Sequence, residues 1–303
     1  MSGSDGPLKS IIYALSANFA ITIAKAVAAV VTHSGAMLAE AIHSLADCGN
    51  QLLLLLGMKR AKRPPNTHYP LGFGKEIYFW SFVVALMLFS VGGMFSLYEG
   101  IHKLRDPQPL HQPFIAIGVL LFAIVAEGLS LLGCIKEINK VRGDMNLAQW
   151  FRYSRQSALL VIFGEDLAAL LGLSFALLAV VISMLTGNPV YDAVGTLAIG
   201  VLLIVVAILI GREVKDLLIG QGVESAIAKQ MEEFLLAQPA IEQVFNLLTL
   251  QLGDDVMVAV KAKLVGCQSA DDLVNEINRC EQAFKQNFPQ VMWLFFEPDN
   301  TDD

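Results

Sequence analysis

Cysteine, histidine and charge are all scarce in this 303-residue sequence. It has four cysteines, five histidines and 16% charged residues. A soluble domain carries about 25% charged residues. With 55% hydrophobic residues and a mean hydropathy of +0.57, the chain is too apolar for an ordinary cytosolic enzyme or a disordered protein. Cys48, Cys134, Cys267 and Cys280 lack CxxC spacing, which argues against a disulfide framework and a zinc ribbon. Two of them lie in apolar runs, where cysteine acts as a small hydrophobe. The net charge is −7 and no basic tail is present, so nucleic acid is not expected as a partner. Residues 1–8 lack the charged start and small-residue cleavage site of a signal peptide, and the first apolar run is expected to remain as a helix.

What is present is a series of long apolar runs. A spanning helix needs roughly 20 mostly apolar residues. Six runs qualify, at about 9–31, 36–58, 76–101, 112–135, 157–184 and 190–211. Turn residues separate them: Thr32-His33-Ser34-Gly35, Pro64-Pro65-Asn66, Asp106-Pro107 with Pro109, and Gly187-Asn188-Pro189. Lys59, Arg60, Lys62, Arg63 and Lys75 follow the second run; Lys136, Lys140, Arg142, Arg152 and Arg155 follow the fourth. Arg212 and Lys215 follow the sixth, whereas the opposite loops hold only Lys103 and Arg105. The positive-inside rule then places both termini in the cytoplasm. No organelle-targeting segment is evident, so a bacterial inner membrane is the expected location.

Beyond residue 211 the composition becomes that of a soluble domain. Residues 222–237 and 270–287 have helical periodicity. Residues 241–252, 255–265 and 290–297 read as strands, with a Gly253-Asp254 turn between the first two. The expected fold class is therefore a polytopic α-helical membrane protein. A six-helix domain over 1–211 precedes a small cytoplasmic α+β domain (α-β-β-α-β, ferredoxin-like) over 212–303.

Ionisable residues inside a bilayer are costly and call for a function. The second run holds Glu40, His43 and Asp47 in AMLAEAIHSLADCGNQ. His43 and Asp47 are four apart and share one helix face. An imidazole and a carboxylate so placed form half a site for a divalent transition metal. The fifth run holds Glu165-Asp166 in VIFGEDLAALLG. A metal ion, shared protons or a basic partner would each stabilise these acids. With Asp166 facing His43 and Asp47, three ligands converge. Glu165 points about 100° away on its helix and is either a fourth ligand or a proton-carrying or structural group. Glu40 is placed nearer the outer mouth. Glu127 and Asp192 are read as groups that pair with polar partners or orient helices, and Asn18 and Asn50 either as supporting donors or as small polar residues that join helices. Lys25 either faces the interior or snorkels.

These features resemble the cation diffusion facilitators over nearly the whole chain, from about residue 9 to Pro298. The segments SGAMLAEAIHSLADCGNQLLLLLG, PLGFGKEIYFW, YDAVGTLAIG and FFEP carry the likeness. The resemblance implies a homodimeric antiporter that exports a divalent metal in exchange for protons, and not an enzyme. It puts metal ligands on His43 and Asp47. On the fifth span the family's second ligand position falls on Asp166 and its first on Ile162. The adjacent Glu165 looks like the substitute found in a divergent branch with a Glu-Asp pair. Phe73 stands where a loop histidine is common, and no histidine follows His111. One metal site per protomer, in the membrane, is therefore expected. Zinc is the first candidate for the cargo, with manganese, iron(II), cobalt or cadmium also compatible. The competing readings are a membrane carrier for another cation and a non-transporting scaffold or receptor that kept the fold.

Overall fold

A computed structural model describes the backbone of residues 5–301 and the side chains from Asn18 onward. Residues 1–4, where part of the signal-peptide reading falls, lie outside it. Six long helical rods come first: α1 (Asp5–Thr32), α2 (Gly35–Ala61), a composite third rod, α5 (Pro113–Val141), α7 (Ser157–Thr186) and α8 (Val190–Ile219). The third rod consists of α3 (Glu76–Met87), a π-helical turn (Leu88–Met94) and α4 (Phe95–Arg105). A short helix, α6 (Leu147–Tyr153), precedes α7. Among the described residues, Glu76–Arg105, α5, α7 and α8 are each long and apolar enough to cross a membrane, and Asn18–Thr32 is a shorter apolar helix. The polar residues in the middle of α2 lower its hydropathy. α8 continues eight residues past the boundary expected at 211 and stops at Gly220, whose φ is +132°. REVKDLL is itself a good helix-forming stretch, so hydropathy marks the end of the apolar span and not the end of the helix.

The chain divides into two compact units. The first comprises residues 1–57, 80–147 and 157–214. Its helices meet through small side chains, which let backbones approach closely. On α2 these are Ala36, Ala39 and Ala46; on α7 they are Ala168, Gly172 and Ala176. Phe122, Val125 and Leu129 of α5 point outward, as side chains in contact with lipid do. The start of α2 is fixed by Ser34, whose hydroxyl accepts from the Met37 N–H at 3.2 Å. Ser34 also donates to Asp192 of α8 at 2.5 Å, and the Gly35 N–H donates to the other Asp192 oxygen at 2.7 Å. Asp192 is thus the helix-orienting group that its position suggested.

The second unit comprises residues 58–79, 148–156 and 215–303. It contains α9 (Ser225–Leu236), β1 (Ile241–Leu252), β2 (Asp255–Leu264), α10 (Ala270–Asn287) and β3 (Val291–Pro298). The sheet order is β1-β2-β3, with β1 antiparallel and β3 parallel to β2. Val256, Val258, Val260 and Ala262 bury alternate side chains, as one strand face requires. They pack with Met231 and Leu235 of α9, Phe284 of α10 and Leu294 of β3. The expected α-β-β-α-β order is present.

Residues 58–79 belong to this unit because they dock on the β1–β2 turn. The Gly253 N–H donates to the Tyr78 hydroxyl at 2.9 Å. Gly74 lies so close to the turn that an added Cβ would overlap the Leu252 carbonyl. Lys75 donates to the Leu218 carbonyl at 3.4 Å, whereas Asp216 pairs with Lys215. Lys75 and Asp216 therefore do not pair with each other. Gly74→Ala is expected to detach the loop from the turn. Limited proteolysis should then cut residues 64–72 faster than in wild type, with the core of the second unit intact by circular dichroism.

Candidate ion site among the membrane helices

The polar residues of the first unit form two adjoining groups. In the first, Lys25 of α1 reaches Glu40 of α2 at 3.4 Å and donates to the Ser44 hydroxyl at 2.6 Å. Both Lys25 and Glu40 are fully buried. Lys25 thus faces the interior and does not snorkel. Glu40 leans toward α7, where an added Cβ on Gly172 would lie 2.5 Å from Glu40 Oε1. The missing side chain at Gly172 makes room for that carboxylate.

The second group surrounds a small cavity of about 30 Å³, lined by Asp47, Glu127, Glu165 and Asp166 together with Asn18 and Gln51. This volume holds about one water-sized particle. Asp47 comes from α2, Glu127 from α5, and Glu165 and Asp166 from α7. Glu165 accepts from Asn50 Nδ2 at 2.5 Å, and Asp166 accepts from the Ser130 hydroxyl at 3.0 Å. These neutral donors orient the acids without cancelling their charge. Asn50 therefore does serve as a supporting donor, and Asn18 lies at the cavity wall.

His43 lies one turn from Asp47, with Nε2 3.5 Å from Asp47 Oδ2. Neither ring nitrogen makes a hydrogen bond within the structure, and Asp47 Oδ1 makes none either. Buried polar atoms are normally paired, so three ligand-type atoms on one helix face are held ready for a partner. Asp47, Glu165 and Asp166 come together at one cavity, with His43 alongside Asp47. Among the described residues, no three His, Cys, Asp or Glu side chains are arranged as they stand to hold a metal.

Two contributors to the site were not assigned to it from the sequence. Glu127 faces the cavity, although its isolated position in an apolar run gave no sign of a neighbour. The π-helical turn, LFSVGGM, places Gly92 beside His43, 3.8 Å from Nδ1 to an added Cβ. Such turns occur often at functional sites, and the Gly92-Gly93 pair was the available signal.

Residues 11–219 match the family described as "Cation efflux transmembrane domain". The chain belongs to the cation efflux family. It is a transporter-family chain, and its fold is that of a polytopic helical membrane protein with a small α+β domain. Similar proteins include the "Proton-coupled zinc antiporter SLC30A9, mitochondrial" of Xenopus laevis, 35% identical over 250 residues, which cover 82% of this chain and 45% of that protein. "Metal tolerance protein C4" of Arabidopsis thaliana is 29% identical over 215 residues, covering 70% of this chain and 47% of that protein. "Zinc transporter ZitB" of Pectobacterium atrosepticum is 25% identical over 259 residues, covering 84% and 75% respectively. The chain thus spans about half the length of the first two relatives.

The Asn50–Glu165 hydrogen bond is a buried link between α2 and α7. Asn50→Ala would leave the Glu165 carboxylate without its donor, at a cost of about 1–3 kcal/mol. A lower thermal midpoint in detergent is expected. Ser130 is exposed, so Ser130→Ala should lower the midpoint by much less.

Proposed function

We propose that this protein exports a divalent transition metal across its membrane in exchange for protons, with zinc as the first cargo to test. The observation that carries the reading is the cavity between α2, α5 and α7, where carboxylates of Asp47, Glu165 and Asp166 meet inside apolar helices with His43 one turn away. The printed names of the SLC30A9 and ZitB relatives, which specify zinc, support the choice of cargo. Carboxylate and imidazole donors suit zinc, and they also suit manganese, iron(II), cobalt and cadmium.

In this reading His43, Asp47 and Asp166 bind the ion, and Glu165, held by Asn50, is a fourth ligand. A bound metal needs deprotonated carboxylates and a neutral imidazole, so cargo and protons compete for the same atoms. Arrival of protons from the far side releases the ion there and resets the ligands. Rocking of helices around the fixed site opens it alternately to each side. The basic loops and both termini then face the cytoplasm of a bacterial inner membrane. The mitochondrial name of the SLC30A9 relatives makes an organelle membrane the second location to examine. The protein is proposed to work as a homodimer, with the second unit supporting assembly.

Proteoliposomes loaded with a metal-sensitive dye test this directly. An imposed pH gradient should drive zinc flux, and collapsing the gradient should slow it. His43→Ala and Asp166→Ala should each lower the flux by at least roughly tenfold, since even supporting residues of metal sites commonly cost that much. A Glu165→Gln variant with normal flux would remove Glu165 from the ligand set. No flux for any of the five metals would favour a scaffold. Flux unchanged by the substitutions would place the pathway elsewhere.

A further inference from the structure

Lys25 is, among the described residues, the one buried lysine or arginine. A lysine in the bundle interior is expensive, and the metal-site reading gives it no task. A purely structural ion pair would be expected to be short and fully satisfied. Charge-assisted N–H···O bonds run at about 2.7–2.9 Å. The Lys25–Glu40 contact is 3.4 Å, and Glu40 Oε1 has no hydrogen-bond partner within the structure. The short bond from Lys25 goes instead to the hydroxyl of Ser44, at 2.6 Å. Ser44 itself lines the cavity that holds Asp47, Glu165 and Asp166.

The ammonium therefore stands between two groups of carboxylates. Glu40 is on one side, and the cavity wall is on the other. Its hydroxyl partner Ser44 shares α2 with His43 and Asp47. The flexible four-carbon stem of lysine lets its head move between nearby acceptors. Gly172 leaves Glu40 the space to keep its place when the ammonium moves away.

We propose that Lys25 is a tethered counter-cation of the ion site, alternating between Glu40 when cargo is bound and the cavity carboxylates when cargo has left. Glu40 is the parking position that keeps the ammonium out of a loaded site. The device offsets the mutual repulsion of the cavity acids in the empty carrier. It also competes intramolecularly with the cargo, which helps to eject a tightly held ion. This role rests on the metal-transport reading and adds a residue pair to it. Lys25 and Glu40 are positioning residues; neither is placed among the ligands.

The test is zinc affinity of the purified full-length protein in detergent, by isothermal titration calorimetry, together with flux in proteoliposomes. Lys25→Met removes the competitor. Zinc should bind more tightly, on the order of tenfold for a unit charge at this range, while maximal flux falls because release slows. Glu40→Gln removes the parking position and should weaken zinc binding by a similar factor. Lys25→Arg, which keeps the charge, should leave affinity close to wild type. A static pair would change affinity by charge alone, independently at the two positions, whereas here Glu40→Gln should have little further effect once Lys25 is Met, because it acts through the ammonium. If Lys25→Met binds zinc no more tightly than wild type, the proposal is overturned. If that variant fails to fold, an affinity of Glu40→Gln equal to or above wild type overturns it equally. Absence of zinc binding by wild type would instead sink the metal reading, and the Lys25 role with it.

Discussion

A carboxylate placed among apolar helices must be compensated, and this requirement organises the first unit. Five acids, Glu40, Asp47, Glu127, Glu165 and Asp166, are drawn toward one region between α1, α2, α5 and α7. Four of them have distinct kinds of neighbour. Glu40 has the Lys25 ammonium, Glu165 has the Asn50 amide and Asp166 has the Ser130 hydroxyl. Asp47 lies beside His43, whose ring nitrogens are themselves without hydrogen-bond partners. The compensation is incomplete at Asp47 and His43. Incomplete compensation suits a site built to exchange a cation and unsuits a site built only to hold helices together.

The small residues of α2 and α7 follow from the same constraint. Helices must approach closely for short acids on one to meet short donors on another. Ala36, Ala39 and Ala46 on α2 and Ala168, Gly172 and Ala176 on α7 permit that approach. Gly172 has the further effect of admitting the Glu40 carboxylate. Asp192 contributes at the end of the bundle, where it caps the first turn of α2 and ties α8 to it. The position of Asp47 and His43 along α2 therefore depends on a carboxylate near 150 residues away in sequence.

The second unit shows a different kind of dependence. Its sheet and two helices enclose an ordinary apolar core, with Phe284, Met231 and alternate residues of β2 inside. The loop of residues 58–79 is added to that unit by backbone contact of Gly74 with the β1–β2 turn and by the Tyr78 hydroxyl, which accepts from the Gly253 N–H. Glycine at 74 and at 253 is what allows the two backbones to touch. The loop is thus ordered by the sheet turn, and its many basic residues need no direct role in the chemistry.

Hydropathy and turn residues were enough to place the long helices, because a spanning helix is specified by local composition over about 20 residues. Alternation in 255–264 and helical periodicity in 270–287 likewise made β2 and α10 legible. The i, i+4 spacing alone put His43 and Asp47 on one face of α2. Other features depended on contacts across the chain. That Glu127 faces the cavity, that Lys25 meets Glu40 and Ser44, and that Lys75 finds the Leu218 carbonyl and leaves Asp216 to Lys215 were decided only by which helix faces and backbone segments come together. The physical reason is that a lone charge in an apolar run announces a need for a partner but carries no information about where, hundreds of atoms away, that partner lies.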